Sequence, residues 1–206
     1  MRERWLIVIL IIFYSVGMIG MLLPEYKAFF QTLSPYNLVL TFLILLLARK
    51  EKNKNWYLFL IIGTLVGFIV EWVGVHTGYL FGNYRYGANM GWKIDGIPII
   101  IGFNWLLMIV GSASISERIF NNRWLEIVCA AFIMTIFDVV MEPVAIQSDF
   151  WQWKNNTIPF YNYVCWFVVG GILQFVYHAL YLREPNKVHD FLLWVMTVFF
   201  IILNVF

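Results

Sequence analysis

The chain has 206 residues, of which 62% are hydrophobic and only 13% are charged, and its formal net charge is +2. So apolar a composition excludes a soluble globular domain and predicts an integral membrane protein. The few basic residues are scattered and form no patch that suits nucleic acid, so we expect no nucleic-acid partner.

Seven apolar runs follow one another along the chain, and several reach the roughly 20 residues that a membrane-spanning helix needs. They cover residues 5–23, 36–48, 56–73, 97–116, 124–141, 158–182 and 190–206. The second run is short, although Ser34 as a helix cap and Pro35 at the first helical position indicate a helix start. We therefore predict an all-α polytopic membrane bundle of about seven transmembrane helices, or six without the second, in a single domain over residues 1–206.

The basic residues predict how this bundle is oriented. Ten of the fourteen Lys and Arg residues fall at alternate connections between the runs, namely Arg2, Arg4, Arg49, Lys50, Lys52, Lys54, Arg118, Arg123, Arg183 and Lys187. Positively charged connections stay on the cytoplasmic side. We therefore expect a multi-pass protein of the cell membrane with its N-terminus in the cytoplasm and its C-terminus outside.

Two segments of the chain share one pattern: an acid near the end of an apolar run, an aromatic-rich loop, and an Ile-Pro that opens the next run. The first copy has Glu71, the loop 74–96, Ile97-Pro98 and Trp105, and the second has Asp138 with Glu142, the loop 143–157, Ile158-Pro159 and Trp166. The pattern predicts a parallel internal repeat of two helical hairpins, at about 56–116 and 124–182. The alternative is a chance likeness, because Pro and Trp are common where helices meet membrane interfaces.

The acids of the two copies are the candidate catalytic groups. A carboxylate inside a membrane is costly and usually functional, and both loops are expected on the non-cytoplasmic side, so a single site there could contain all of them. Asp138 and Glu142 are four residues apart on one helix face, so they cannot both ionise cheaply. One should stay protonated and could act as a general acid. Alternatively, Glu142 precedes Pro143 at a helix end and simply faces water.

Aromatic and amide side chains near these acids are candidate substrate contacts. Aromatic rings bind isoprenoid surface and attract cations, so they could form a wall for a polyene or a carbocation, although an interfacial aromatic belt also explains part of them. Asn104 and Asn162 could position a water or hydrogen-bond between helices. The full set is Tyr79, Phe81, Tyr84, Tyr86, Trp105, Trp151, Trp153, Trp166, Asn104, Asn162 and His76.

His76 follows Glu71 by five residues and could be either a site residue or an ordinary interfacial histidine. Neither His-x-x-x-His nor Glu-x-x-His spacing occurs, so we predict no metal site. Cys129 and Cys165 lie within predicted helices and are most simply explained as small packing residues.

Several motifs in combination carry a resemblance to a known family. They are Glu71-x-x-Gly-x-x-Thr-Gly-x-x-Phe-Gly-x-Tyr-x-Tyr, Gly96-Ile-Pro with Trp105, Asp138-x-x-x-Glu-Pro-x-Ala, Trp151-x-Trp and Ile158-Pro-x-x-Asn-x-x-x-Trp. Over about residues 65–175 the chain resembles the carotenoid biosynthesis membrane protein family typified by bisanhydrobacterioruberin hydratase, a carotenoid 1,2-hydratase type. The pattern departs at Thr157, where the other copy has Gly96, which leaves the substrate end group open.

The resemblance implies a cofactor-independent hydratase that adds water across the terminal double bond of an acyclic carotenoid end group and leaves a tertiary alcohol. The partners it implies are a carotenoid or other isoprenoid lipid, membrane lipids and water. Asp138 would be the leading proton donor, and Glu142 or Glu71 would share its proton and activate water. Asp95 would be a fourth candidate, and the end group would lie among the residues Tyr79, Phe81, Trp151 and Trp153.

Other functions fit the same acids and aromatic wall. An isoprenoid cyclase or isomerase would differ only in what captures the cation. A proton-coupled transporter could use paired intramembrane carboxylates as a relay, and a polyene-binding membrane protein would hold pigment without turnover. The oligomeric state, the particular carotenoid and its route of access stay open.

Overall fold

A computed structural model describes all 206 residues. Eight α-helices dominate it: α1 (Arg2–Leu22), α2 (Pro24–Thr32), α3 (Ser34–Ala48), α4 (Lys54–Thr77), α5 (Ile100–Ile119), α6 (Arg123–Gln147), α7 (Phe160–Ala179) and α8 (Lys187–Val205). Four short strands lie in the loops: β1 (Tyr84–Tyr86), β2 (Lys93–Ile94), β3 (Ile97–Pro98) and β4 (Trp151–Trp153). The predicted all-α class is confirmed.

Six helices, all except α2 and α3, are long and apolar enough to cross a membrane. The pair α2 and α3 is bent by 56° at its break and would be a seventh span if the two helices cross together. The prediction of about seven spans is therefore confirmed, and the chain is a multi-pass membrane protein. Pro35 lies in the first turn of α3 as predicted, but Ser34 is helical and Leu33 takes the cap position without a side-chain bond.

Two helices extend further than the apolar runs indicated. α4 continues through Gly74 to Thr77 and ends at Gly78, whose φ of 68° is the left-handed conformation that glycine adopts without strain. α6 continues through Pro143 to Gln147. Pro143 has no N–H to donate to the Val139 carbonyl one turn earlier, and the Asn204 side chain donates to the adjacent Val140 carbonyl at 2.7 Å. The loops predicted at 74–96 and 143–157 are correspondingly shorter.

Helix α5 lies at the centre of the bundle and is buried along almost its whole length. Glycines on α4 allow it to approach closely: a Cβ added at Gly67 would come within 2.7 Å of Trp105, and one at Gly63 within 2.5 Å of Leu106. Small residues let helix backbones pack tightly inside a membrane, where van der Waals contact replaces the hydrophobic driving force. This contact fixes the position of Trp105 relative to α4.

The two predicted hairpins have the same order of elements. Each contains a long helix, a strand, a 3-10 turn and a second helix: α4, β1, residues 88–90 and α5 in one, and α6, β4, residues 154–156 and α7 in the other. The first hairpin differs in having β2 and β3 before its second helix. β1 and β4 pair antiparallel, with Tyr84 opposite Trp153 and Tyr86 opposite Trp151. The loops of the two hairpins are thus joined at one end of the bundle. The internal repeat and its bounds stay predictions.

At the other end, the start of α1 meets the end of α3. Arg2 donates to the Leu47 carbonyl at 2.8 Å, and Lys50 pairs with Glu3 at 3.3 Å. These basic residues therefore lie on one face of the bundle, as the predicted orientation requires. Which face is cytoplasmic stays a prediction.

Candidate active site

Three carboxylic acids meet around one small cavity beneath the paired loops. Glu71 projects from α4, and Asp138 and Glu142 project from α6, with exposed fractions of 4%, 1% and 2%. The cavity between them has a volume of about 20 Å³, which is room for a single water molecule. None of the three acids forms a salt bridge with Lys, Arg or His. The site therefore holds acidic groups without a compensating cation.

Glu71 receives three hydrogen bonds, more than either other acid. The Tyr84 and Tyr86 hydroxyls donate to Oε2 at 2.5 and 2.6 Å, and Trp105 Nε1 donates to Oε1 at 2.9 Å. Both tyrosines come from β1, where residues two apart point to the same side of the strand. Hydrogen bonds to a carboxylate stabilise its ionised form. Glu71 is consequently the acid best prepared to carry a negative charge.

The two tyrosines themselves stay protonated. Burial raises the pKa of the Tyr84 hydroxyl well above its ordinary value, and the neighbouring charge of Glu71 raises that pKa further. The same two causes, burial first, raise the pKa of Tyr86. Both phenols are therefore permanent donors to Glu71 at physiological pH.

Glu142 receives two hydrogen bonds from the second loop. Trp151 Nε1 and Trp153 Nε1 both donate to its Oε2, at 3.0 and 2.9 Å. Trp151 and Trp153 on β4 thus donate hydrogen bonds to Glu142 in the same way that Tyr84 and Tyr86 on β1 donate to Glu71. Glu142 lies inside α6, because the helix continues past Pro143, and it does not face water.

Asp138 receives one hydrogen bond, from Asn162 Nδ2 on α7 to Oδ2 at 2.7 Å. A single neutral amide stabilises a carboxylate less than two or three donors do. Because three adjacent carboxylates in a low-dielectric cavity repel one another, at least one should hold a proton. Among the three, Asp138 has the fewest donors opposing protonation.

Aromatic rings enclose the acids. Trp105 and Trp166 stack with ring centroids 4.3 Å apart and planes 10° from parallel, and Phe81 packs against both. Phe81 has a φ of 63°, an unusual conformation for a bulky residue. Such strain is retained where the surrounding structure holds it. Here it places the ring in the wall of the small cavity.

A second, much larger cavity adjoins the acid cluster. It has a volume of about 360 Å³ and lies among α1, α2, α3, α6 and α8. Asn104, Met141 and Trp151 line both cavities. Nearly all of the remaining wall is hydrophobic, including Phe13, Met196 and Phe200. An apolar ligand in the large cavity would therefore have one end next to the acids.

Most of the side chains predicted from the sequence are brought together at the small cavity. These are Glu71, Phe81, Tyr84, Tyr86, Asn104, Asp138, Glu142, Trp151, Trp153, Asn162 and Trp166. Trp105 is fully buried behind them and reaches the site through its bond to Glu71.

Three predicted residues lie apart from this cluster. Asp95 is exposed in the first loop, where it accepts from Trp72 Nε1 at 2.7 Å and lies 3.3 Å from His76 Nε2. Because α4 continues past Gly74, His76 stays on the helix and stacks on Trp72. Tyr79 is 78% exposed. Asp95 and His76 therefore form a separate surface pair and do not line the small cavity with the three buried acids.

Sequence reasoning missed the large cavity and the two apolar residues, Ile101 and Met141, that complete the small one. The large cavity is built mainly from residues of α1, α3 and α8, and these helices carry no motif. One signal was available: Met141 lies between Asp138 and Glu142 on α6, close to the helix face of the acids.

Fold and site together define a polytopic α-helical membrane protein with a buried carboxylic acid cluster at the end of an apolar cavity. The chain belongs to the carotenoid biosynthesis protein family, whose model matches residues 33–206. Over 117 residues it is 23% identical to bisanhydrobacterioruberin hydratase of Haloarcula japonica. That match covers 53% of this chain and 40% of the length of the relative. No solved structure matches the chain.

Proposed function

We propose that this protein is a cofactor-independent carotenoid hydratase, which adds water across the terminal double bond of an acyclic carotenoid end group. The observation that carries the proposal is the pairing of a water-sized cavity, lined by Glu71, Asp138 and Glu142, with an adjoining apolar cavity of about 360 Å³. The family supports a carotenoid as the substrate, and the name of the distant relative supports hydration.

Asp138 would begin the reaction by donating its proton. Protonation at the less substituted carbon of the terminal alkene leaves a tertiary carbocation at the other carbon. Asp138 suits this step because it receives only the Asn162 amide bond and is the acid most easily kept neutral. The carboxylates of Glu71 and Glu142, each held by phenol or indole donors, would stabilise the developing positive charge.

Water in the small cavity would then capture the cation. Asn104 lines both cavities and its side chain makes no hydrogen bond within the protein, so it is free to orient that water. One carboxylate takes the proton that the water loses as its oxygen bonds to the tertiary carbon. The product is the alkene plus one water, a tertiary alcohol, and Asp138 regains a proton through the shared cluster.

Aromatic side chains would protect the carbocation from side reactions. Trp151 lies where the two cavities adjoin, and Phe81 and Trp166 line the small cavity. Ring faces attract a cation and exclude bulk water. With the basic connections in the cytoplasm, this site would lie toward the non-cytoplasmic side of the membrane.

The test is expression of the chain in cells that accumulate lycopene, followed by mass spectrometry of the extracted pigments. We expect a new pigment heavier by one water, absent from cells with an empty vector. An isomer of unchanged mass would instead indicate a cyclase or isomerase. Lycopene that copurifies unchanged would indicate a binding protein, and either result would overturn hydration.

A further inference from the structure

The large apolar cavity reaches the outside of the bundle on one side. Phe13 and Val16 of α1 and Tyr36 of α3 line its wall, yet their exposed fractions are 51%, 52% and 71%. A side chain that lines a cavity and is also exposed lies at an opening. Because α1 is one of the membrane-spanning helices, this opening faces the hydrocarbon of the lipid and not water.

Two contacts between α1 and the pair of helices α2 and α3 border the opening. On one side, the Tyr14 hydroxyl lies 3.1 Å from Thr41 Oγ1 in a hydrogen bond between α1 and α3. On the other side, α2 packs so closely that a Cβ added at Gly20 would overlap the Phe30 ring. From Tyr14 to Gly20, α1 rises about 9 Å at 1.5 Å per residue. Non-bonded carbon atoms lie about 4 Å apart, so one hydrocarbon chain fits between the two contacts.

Gly17 lies between these contacts and keeps the opening clear. It lines the cavity, and a Cβ added there would have only Phe199 Cε2 within 4 Å, at 3.8 Å. Glycine inside a helix is less stable than alanine, and here no neighbouring helix requires its small size. What the missing side chain provides is open space. We call this opening, bordered by Phe13, Val16, Gly17 and Tyr36, the lateral window.

A carotenoid is too long for the cavity that would hold its end group. An extended carotenoid is about 30 Å long, which is close to the thickness of the hydrocarbon core of a bilayer. At about 30 Å³ for each small group, the volume of one water in the liquid, a cavity of about 360 Å³ holds about a dozen carbon atoms. With one end at the acids, most of the chain must leave the cavity, and the opening to lipid is the lateral window.

We infer that the lateral window is the substrate entrance: an acyclic carotenoid enters from the membrane with its end group first, and its polyene chain stays in the window while the end group reaches the acids. Recognition then covers only about the first dozen carbon atoms. The start of α3 lies against the first loop, since a Cβ added at Gly91 would lie 3.3 Å from Pro35. The window therefore opens in the half of the membrane near the paired loops. The inference rests on the proposed function for the isoprenoid class of the ligand.

The test is equilibrium retention of two radiolabelled hydrocarbons by the detergent-solubilised full chain. Lycopene and myrcene have the same terminal group, but myrcene has only ten carbon atoms and fits inside the cavity. Gly17→Trp places an indole in the window. We expect it to weaken lycopene retention by about tenfold or more, as overpacking does, and to weaken myrcene retention far less, because the short chain does not cross the window. Comparing the variant with wild type for each ligand cancels partition into detergent.

Ile19→Trp is the matched control. Ile19 is on the same helix and is exposed, but it does not line the cavity, so retention of both ligands should equal that of wild type. If Gly17→Trp weakens both ligands equally, the indole only fills the cavity, and if it weakens neither, the chain leaves elsewhere; either result overturns the window. Should Gly17→Trp not fold, Val16→Trp must give the same selective loss of lycopene, or the window is overturned.

A failure of the proposed reaction would be distinguishable from a failure of the window, because retention requires no turnover. A protein that hydrates no carotenoid but shows the selective loss of lycopene would lose the proposed reaction and keep the window. A protein that hydrates lycopene equally fast with and without Gly17→Trp would keep the reaction and lose the window.

Discussion

Replacing Asp138 by asparagine is the sharpest test of the catalytic assignment. Asparagine has nearly the size of aspartic acid and keeps a side-chain oxygen, so it can still accept the 2.7 Å bond from Asn162 Nδ2. Only the transferable proton is lost. A positioned general acid contributes about 10²- to 10⁴-fold to a rate, which corresponds to about 3–5 kcal/mol of transition-state stabilisation. We expect Asp138→Asn to slow hydration by that factor.

Glu142 is the group that could mask this loss, since it lies one helical turn from Asp138. It would have to hold a proton while two indole N–H groups donate to its Oε2. Hydrogen bonds of this kind favour the carboxylate, so we expect no rescue and a loss toward the upper end of the range. Glu142→Gln on its own should slow hydration less.

The assay is the rate of appearance of the hydrated pigment from lycopene in liposomes that contain purified protein. Glu117→Gln is the matched control, because Glu117 is also a buried acid, on α5, but accepts from the Glu184 amide away from the acid cluster. It should keep a rate close to wild type. A folded Asp138→Asn protein with the wild-type rate, or an equal loss in Glu117→Gln, would refute the reasoning.

Three further predictions concern packing, the passage between the cavities, and orientation. Gly67→Ala should destabilise the protein by about 1–3 kcal/mol, because the new methyl group would lie 2.7 Å from Trp105; Gly171→Ala, with its nearest neighbour at 3.9 Å, should leave the thermal unfolding temperature unchanged. Met141→Trp should fill the junction of the two cavities and reduce the rate of hydration about 100-fold without changing the thermal unfolding temperature. An unchanged rate would show that the substrate does not occupy the large cavity. With Cys129 and Cys165 replaced by Ser, Lys154→Cys should react with an impermeant maleimide added to intact cells and Lys52→Cys should not; the opposite pattern would invert the bundle.

The pattern of acids and aromatic residues along the chain predicted most of the small cavity. Glu71 and Asp138 were matched because each lies near the end of an apolar run and precedes an aromatic-rich loop and an Ile-Pro. The structure joins those loops through the strands β1 and β4, which the sequence analysis did not predict. The sequence left open whether Glu142 is buried or faces water, because a proline usually ends a helix. In the structure α6 continues past Pro143.

Asp95 and His76 show how tertiary structure separates residues that are close in sequence. Both are close to Glu71 in sequence, but the extra helical turn before Gly78 carries His76 to the surface, where Asp95 meets it. The first loop was expected to begin at Gly74, yet this glycine is helical and allows close packing: a Cβ there would lie 2.8 Å from the Tyr84 hydroxyl oxygen. Whether a glycine ends a helix or allows another side chain to pack closely against the helix depends on the tertiary structure around it.

Composition, basic-residue placement and repeated acids were sufficient to predict a multi-pass helical membrane protein and its main acidic groups, because hydropathy and charge act residue by residue through the solvent. The arrangement of donors around each acid, and hence which acid is easiest to protonate, depends on contacts between α4, α5, α6, α7 and the paired loops. The apolar cavity likewise arises where α1, α3 and α8 pack imperfectly against α6. Apolar side chains leave no spacing signal for such a space, since a cavity is a property of the gaps between helices and not of any one of them.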